Sequence, residues 1–400
     1  MADVRRLPYA DILSHEGAVG TTLGGLIARA PISMVPIALI AIGSGPLGSY
    51  AVGGAAAGAY TVCNAVGATL LGRAADERGH RWALRISSVL MAIAAMTIAA
   101  VALFARDAAL LIGAAAFSGA VTPGIGGIVR TRWAAVVSDP VRRNRAMALE
   151  SVNDEVNFLI GPPVASLLIV QGLPWSPVIL ATALFMIGAA TVSARRGWEP
   201  KLHPADGGST AAIRENALLI VSASAIGAIL GASQVLLLGY CNALGADSGI
   251  ALALALNSGA SLIGALTIGA KSDWRWPAER RFAVAAICFA AATIPTALVS
   301  GYVPYLIAIT VAGFGIAPMF IQSNAVITER AGGSPRSSSF ALIGGGVVFG
   351  ISAGSAVGGI AIDAAGASDA RIILIPLALL MLLPILIGAR RTSRPQATRP

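Results

Sequence analysis

The distribution of charged residues constrains this chain more than any other feature of its sequence. Nine stretches of at least eighteen consecutive residues contain no Asp, Glu, Lys or Arg, and about twenty apolar residues suffice for a helix to cross the hydrocarbon core of a bilayer. Only 12% of the residues are charged, about half the fraction found in soluble domains. The sequence therefore predicts an integral membrane protein.

The lengths of the charge-free stretches predict the number of helices. Six stretches have the length of one helix, and the other three, 30–72, 156–194 and 282–328, are long enough for two. A turn signal such as Gly43-Ser44-Gly45-Pro46 lies near the middle of each long stretch, which indicates a helical hairpin. The stretches are continuously apolar instead of alternating, which favours helices over a barrel. The twelve predicted transmembrane helices span residues 17–42, 46–71, 83–105, 108–137, 146–170, 174–194, 213–242, 247–270, 281–300, 302–328, 337–362 and 370–389.

The basic residues predict the orientation in the membrane. With twelve spans, 25 of the 28 Lys and Arg fall in the termini and loops of one face. Arg106 and Arg371 fall on the other face, and Arg29 falls within the first helix. By the positive-inside rule, both termini and the loop 195–212 are predicted to be cytoplasmic. The net charge of +9 is then explained by topology and does not indicate nucleic-acid binding.

The two halves of the sequence resemble each other. The pattern Gly-x-x-x-Asp between the second and third helices, at 72–76, recurs between the eighth and ninth helices at 269–273. A repeat at the same place in the helix order is typical of transporters built from two related bundles. We predict two six-helix bundles, residues 1–194 and 213–400, joined by the linker 195–212.

The first of these loops extends into a longer motif. Gly72, Asp76, Gly79 and Arg81 have the spacing Gly-x-x-x-Asp-x-x-Gly-x-Arg. Together with the helix count and the repeat, this segment resembles the loop signature between the second and third helices of the major facilitator superfamily of secondary transporters. The resemblance implies the fold of that superfamily and a gating role for the four residues. Glu77 departs from the signature, which usually has a basic residue at that position.

Two further features resemble the same superfamily and concern the direction of transport. Gly161-Pro162-Pro163 in the fifth helix is similar to the Gly-Pro motif of family antiporters, which implies efflux of a small organic molecule in exchange for protons. Arg130 in the fourth helix resembles the family's intramembrane arginine. Arg29 also suits an anionic substrate, so a proton-coupled importer of an organic acid, sugar or amino acid remains an alternative. A non-transporting receptor or enzyme is disfavoured by the repeat and by the residue types, and we predict no catalytic residues, metal or cofactor.

Ionisable residues within the spans are the candidate coupling residues, because a charge near the bilayer centre costs roughly 2.5–3.5 kcal/mol on insertion scales. Asp154 and Asn157 share one face of the fifth helix, and Glu155 lies on the adjoining face. Neighbouring carboxylates in a low dielectric disfavour each other's charge, so one of them can take up and release a proton. We predict that Asp154 and Glu155 form a proton-coupling site. Arg29 or Arg130 would be an ion-pair partner or substrate anchor, and the alternative is a fixed, buried salt bridge.

Other polar and small residues have weaker assignments. Glu150, near the end of the fifth helix, is interpreted as solvated or bonded to a loop. Gln234 and Gln322, in the seventh and tenth helices, are predicted to line the second wall of a central cavity. Glycines four residues apart allow close helix approach, and they form two ribbons: Gly54 and Gly58 in the second helix, and Gly346, Gly350, Gly354 and Gly358 in the eleventh. The resemblance to the superfamily implies that the second and eleventh helices face each other between the halves. We therefore predict that the two ribbons are in contact and part during transport, the alternative being static packing against another helix.

The cellular setting follows from composition and topology. Lys201 and Lys271 are the only lysines, while Arg, Ala and Gly are abundant. With the predicted positive-inside loops, this composition indicates a multi-pass protein of a bacterial inner membrane. The expected partners are a small-molecule substrate, protons and the lipid bilayer, with no nucleic acid, and the resemblance implies a working monomer.

Overall fold

The computed structural model of the protein describes residues 10–199, 211–269, 276–330 and 337–382, and this part of the chain contains helices and connecting turns but no β-strand. Asp273 of the repeated loop, both lysines and the end of the predicted twelfth helix lie outside the described residues. Apart from short helical turns, the described part contains twelve helices: α1 (Ala18–Ser44), α2 (Tyr50–Arg78), α3 (His80–Ala105), α4 (Ala108–Val136), α5 (Pro140–Val170), α6 (Ser176–Ala194), α7 (Ala211–Ala243), α8 (Ile250–Gly269), α9 (Ala278–Leu298), α10 (Tyr302–Arg330), α11 (Ser337–Ala365) and α12, described over 374–382.

Ten of these helices are long and apolar enough to cross a membrane. The other two are α5, whose first half carries several charges, and α12, of which only nine residues are described. The prediction of an all-helical membrane protein with twelve helices is confirmed. The largest difference in bounds is at α2, which ends at Arg78, seven residues beyond the predicted end at 71, and α5 begins at Pro140, six residues before the predicted start at 146.

Helix α1 is interrupted close to its middle. Its two segments, Ala18–Ala28 and Ala30–Ser44, meet at Arg29, whose amide donates to Leu26 O at 3.2 Å in a tighter turn. Pro31 follows two residues later and has no N–H to offer to the preceding turn. The interruption therefore places the single intramembrane arginine of α1 at a bend.

Helix α4 has a second interruption. The segment Ala108–Val121 ends before Pro123, and a new segment, Ile125–Val136, starts after Gly124. The helical hydrogen-bond ladder cannot continue through Pro123, because proline lacks the amide hydrogen that the next bond would need. The second segment carries Arg130 and the fully buried Trp133.

The contacts divide the chain into two compact units. The first consists of Met1–Gly48 and Ala59–Asp206, and the second of Ser49–Gly58 and Gly207–Pro400. The core of the first unit is built around Trp133 and Phe185, both fully buried. In the second unit, α7 and α11 approach so closely that the backbone of one helix contacts glycines of the other. The first turns of α2 pack with this second unit.

Candidate functional site

A network of four charged side chains lies inside the first unit, where α1, α4 and α5 meet. Arg29 Nη2 donates to Glu150 Oε2 at 2.7 Å, and its Nε donates to Asp154 Oδ1 at 2.6 Å. Arg130 Nη2 donates to the other oxygen of Asp154, Oδ2, at 2.7 Å. Two arginines thus face two carboxylates, and the network is neutral when all four side chains are ionised.

The two carboxylates of this network differ in their access to solvent. The side chain of Glu150 is 0% exposed and that of Arg29 is 2% exposed, whereas the side chains of Asp154 and Arg130 are 38% and 34% exposed. Asp154 is therefore the more exposed carboxylate of the network. Glu150 and Arg29 form the fixed, buried end of the network, and Asp154 and Arg130 form its accessible end.

The interpretation of Glu150 as a solvated residue is wrong. Because α5 begins at Pro140, Glu150 lies well inside the helix instead of near its end. Its Oε1 accepts hydrogen bonds from Trp133 Nε1 at 3.2 Å and from Asn153 Nδ2 at 3.4 Å. These donors and Arg29 satisfy the buried carboxylate, as a buried charge requires.

Glycine makes room for this network. A Cβ atom on Gly126 of α4 would lie 3.0 Å from Arg130 Nη1 and 3.3 Å from Arg29 Nη2. A side chain at this position would therefore compete with the two guanidinium groups for space. The run Gly124-Ile125-Gly126-Gly127 has the sequence of a glycine-rich loop, but here it begins the second segment of α4.

One helical turn further along α5, the same face packs on α1. Ser33 Oγ donates to Asn157 Oδ1 at 3.1 Å, and both residues are buried. A Cβ atom on Gly161 would collide with Ser33 Oγ and lie 3.4 Å from Met34 Cγ. Asp154 and Asn157 thus share the face that the spacing predicts, and Gly161 is a point of close approach between α1 and α5.

Glu155 does not join the ion-pair network. Its side chain is partly exposed, and no ion pair or hydrogen bond links it to a described residue. It follows Asp154 by one residue, about 100° around the helix, so it lies off the face that meets the arginines. Of the two predicted coupling carboxylates, the structure brings only Asp154 together with Arg29 and Arg130.

The four residues of the predicted loop motif surround the turn between α2 and α3. Gly72 and Asp76 lie in the last two turns of α2, Gly79 precedes α3, and Arg81 lies in the first turn of α3. Asp76 Oδ1 is 3.7 Å from His80 Nε2, one turn along the chain. Arg81 N, in the first turn of α3, donates to Glu199 Oε1 at 3.1 Å. The exposed amides at the start of a helix favour such an anion. Glu199 follows α6 and has no motif around it in the sequence, so the sequence does not predict its role.

Gly79 links this turn to Glu199. It has φ +97° and ψ 143°, a combination that L side chains rarely adopt, and an added Cβ would lie 2.9 Å from Glu199 Oε1. We expect Gly79→Ala to lower the free energy of unfolding by about 1–3 kcal/mol, measured by thermal unfolding of the purified protein. Gly72→Ala is the matched control, because Gly72 is helical and an added Cβ meets nothing within 4 Å. An equal effect of the two substitutions would contradict this explanation.

The two predicted glutamines have different surroundings within the second unit. Gln234 lines a cavity of about 70 Å³ together with Asn257, Thr293 and Tyr305. Gln322 is buried, and its Oε1 has no hydrogen-bond partner among the described residues. It does not line that cavity. The polar residues of the cavity come from α7, α8, α9 and α10.

The glycine ribbon of α11 packs on α7, and the prediction that it faces the ribbon of α2 is wrong. Added Cβ atoms on Gly350 and Gly354 would collide with the backbone carbonyls of Ser224 and Ala228 in α7. The flanking glycines Gly346 and Gly358 also face α7, near Ile220 and Ala232. The period of four residues predicted close packing, but small residues on α7 supply the opposing surface.

The ribbon of α2 does meet α11, through other residues. Added Cβ atoms on Gly54 and Gly58 would contact Ser355 and Ser352, respectively. At the end of this contact, Asp363 Oδ1 accepts from Tyr50 N at 3.0 Å and Asp363 Oδ2 accepts from Ser49 Oγ at 2.6 Å. Asp363 therefore caps the N-terminus of α2.

Comparison with known proteins places this architecture in a family. Residues 21–334 match the family model described as Major Facilitator Superfamily. No curated protein matches the chain. The matched region starts in α1 and ends beyond α10, so it includes the charged network and the loop between α2 and α3.

Solved structures of transporters share the fold. The nucleoside transporter NupG is similar with a TM-score of 0.70 and 11% identity, over 94% of this chain and 98% of that chain. A POT family transporter in complex with 5-aminolevulinic acid is similar with a TM-score of 0.68 and 14% identity, over 95% and 97%. The human organic anion transporter MFSD10 (TETRAN) is similar with a TM-score of 0.58 and 14% identity, over 92% and 98%. The chain therefore belongs to the major facilitator superfamily and is a membrane transporter, not an enzyme.

Proposed function

We propose that this transporter moves a small organic molecule by alternating access and couples the movement to protons, in the direction of export. The observation that carries the proposal is the charged network of α1, α4 and α5, which has one buried, fully paired carboxylate and one accessible carboxylate. The Asp154 carboxylate lies within the predicted membrane span and has two arginine partners, which makes it a candidate functional group.

Asp154 is the proposed proton acceptor. Protonation removes its charge and weakens its bonds to Arg29 Nε and Arg130 Nη2, which are 2.6 and 2.7 Å long. Arg29 keeps its buried partner, Glu150, whereas at the accessible end of the network the bond between Arg130 and Asp154 is weakened. A proton and the two arginines thus compete for the Asp154 carboxylate, which is the linkage that coupling requires.

Glu155 is proposed as a second proton acceptor beside Asp154. It is partly exposed and has no basic partner among the described residues. A carboxylate in this position can pass a proton to its neighbour without breaking an ion pair of its own. Asn157 and Gly161 hold this stretch of α5 against α1.

The cavity in the second unit is proposed to bind part of the substrate. Gln234, Asn257, Thr293 and Tyr305 surround it with amide and hydroxyl groups, which suit hydrogen-bonding groups of an organic molecule. Gln322 lies outside this cavity and is proposed as a separate substrate contact, because its buried Oε1 has no hydrogen-bond partner among the described residues.

Gly161, Pro162 and Pro163 support export as the direction. Gly161 allows α5 to cross α1 in direct contact beside the charged network, and two prolines follow within the helix. Proton-coupled import is the second candidate, and the partly exposed guanidinium of Arg130 favours it for an anionic substrate such as an organic acid.

We propose a working monomer in a bacterial inner membrane, with both termini cytoplasmic by the positive-inside rule. Two six-helix bundles, 1–194 and 213–400, would move relative to each other about the linker 195–212.

The test compares metabolites inside and outside cells that express the wild type, Asp154→Asn, Glu155→Gln or Asp369→Asn at matched membrane levels, with and without a protonophore. We expect the wild type to expel one compound only when a proton gradient is present. Asp154→Asn should reduce the gradient-driven concentration ratio by about tenfold or more, the scale of a coupling free energy between two ligands. Asp369 is the control, because it is an exposed carboxylate outside the network.

Three outcomes would change the proposal. Accumulation of the compound inside the cells would establish import instead of export. Gradient-driven transport by Asp154→Asn at the wild-type level would assign Asp154 a structural role. A loss of transport in Asp369→Asn equal to that in Asp154→Asn would indicate a general effect of removing a carboxylate.

A further inference from the structure

We propose that the first unit has a binding site for an anionic phospholipid in the grooves between α3, α6 and the turn that joins α2 to α3. Two adjoining open grooves lie there, with volumes of about 580 and 450 Å³. Arg81 and Arg85 line both of them. One groove is basic and the other is mainly apolar, and together they match the two parts of a lipid.

The basic groove fits the phosphate head group. Arg78, Arg81 and Arg85 line it together with Glu199, so three positive charges face one negative charge. Glu199 Oε1 already accepts a hydrogen bond from Arg81 N. Guanidinium groups bind phosphate through paired hydrogen bonds, so an anion would balance the excess positive charge of this groove.

An aromatic side chain indicates that the basic groove lies at the membrane surface. Trp82 lines the basic groove, and the guanidinium of Arg78 lies over its ring at 4.9 Å. Tryptophan is enriched at the level of lipid head groups. Ile86, in the next turn of α3, is 39% exposed, which is suited to hydrocarbon. The basic groove therefore lies at the boundary between head groups and acyl chains.

The second groove fits an acyl chain. It runs along the same face of α3 past Val89 and against Met186 of α6, and both are exposed apolar residues. The only hydroxyl on the α3 side, that of Ser88, donates to Leu84 O at 2.8 Å within its own helix. Small residues of α6, including Ala190, leave the space open. Along this part of α3 the groove wall is therefore apolar, and its one hydroxyl is already hydrogen-bonded, as contact with an acyl chain requires.

These features select one class of ligand. A soluble anion would not use the apolar groove, and a zwitterionic lipid would leave the excess positive charge unbalanced. Basic residues near the membrane surface attract anionic lipids, and basic pockets between membrane helices bind acidic head groups. We therefore infer that phosphatidylglycerol or a related acidic phospholipid binds along α3.

The test measures lipids retained by the purified full-length protein. The protein in detergent is incubated with equal amounts of phosphatidylglycerol and phosphatidylcholine of identical acyl chains, and bound lipids are counted by native mass spectrometry. The wild type should retain phosphatidylglycerol preferentially. Replacing Arg78, Arg81 and Arg85 together by Gln should reduce that preference by about tenfold to hundredfold.

The matched control replaces Arg73, Arg142 and Arg280 by Gln, which removes the same charge from exposed arginines that line neither groove. This control should keep the wild-type preference. Ala190→Trp fills the apolar groove without changing any charge, so it should reduce retention of phosphatidylglycerol even if the arginine variant does not fold. Free glycerol phosphate in excess should not displace the lipid.

Several results would overturn the proposal. Equal preference in the wild type and in the Arg78, Arg81 and Arg85 variant would exclude the basic groove. An equal loss in the control variant would indicate attraction by net charge alone. Unchanged retention in Ala190→Trp, or displacement by glycerol phosphate, would indicate that acyl-chain contacts contribute nothing and that the groove binds only an anion.

Discussion

Arg29→Met is expected to lower the free energy of unfolding by about 3–5 kcal/mol, because it leaves a buried carboxylate without its charged partner. The Glu150 side chain is fully buried, and Arg29 Nη2 is its only cationic contact at 2.7 Å among the described residues. Asp154 would lose one of its two arginines at the same time. We expect transport to be lost as well. Thermal denaturation of the purified protein in detergent measures the loss of stability.

A double-mutant cycle separates the charge from the shape of the side chain. Adding Glu150→Gln to Arg29→Met removes the unpaired charge, so it should recover most of the lost stability. Arg130→Met is the matched comparison, since the Arg130 side chain is 34% exposed and its loss should destabilise the protein by less. If Arg29→Met and Arg130→Met lowered stability equally, burial would not be the cause.

Gly350→Ala is expected to lower the free energy of unfolding by about 1–3 kcal/mol, because it overpacks the contact between α7 and α11. The added Cβ would collide with Ser224 O, lie 2.7 Å from Ser224 C and lie 2.9 Å from Ala228 N. These atoms are backbone, so a change of rotamer cannot relieve the collision and α7 would have to move away from α11. The melting temperature of the purified protein measures the effect, and Gly350→Leu should prevent recovery of folded protein.

Gly345 supplies the control on the same helix. A Cβ atom added there meets nothing within 4 Å, so Gly345→Ala should raise stability by up to about 1 kcal/mol through helix propensity alone. The two alanine substitutions should thus have opposite signs. A stabilising effect of Gly350→Ala would show that α7 and α11 are not in close contact.

The helices could be predicted from the sequence because the bilayer imposes a length on every apolar segment. The prolines at 31 and 123 indicate bends in α1 and α4, but not the full interruption of either helix. The face shared by Asp154 and Asn157 follows from helical geometry alone. These features depend on neighbouring residues of the chain, so local sequence contains the necessary information.

The partners across helices could not be predicted in the same way. The interpretation of Glu150 failed because its role depends on where α5 begins and on Trp133, a residue of another helix. The glycines of α11 indicated a close contact, but small residues occur on several helices and do not identify which one is opposite. Glu199 belongs to a short connection without a motif, and only its hydrogen bond to Arg81 N reveals its role.

The chain just beyond α6 functions as a clamp on the first unit. Trp198 packs edge-on against Trp133 with ring centroids 4.8 Å apart and donates from Nε1 to Glu16 O at 3.0 Å, while Glu199 holds the start of α3. The last residue of α6, Ala194, is therefore not the end of the folded first unit. If the two halves are expressed separately, or a reporter is inserted between them, the junction should follow Glu199. A junction between Ala194 and Glu199 would separate Trp198 and Glu199 from the residues of the first unit that they contact.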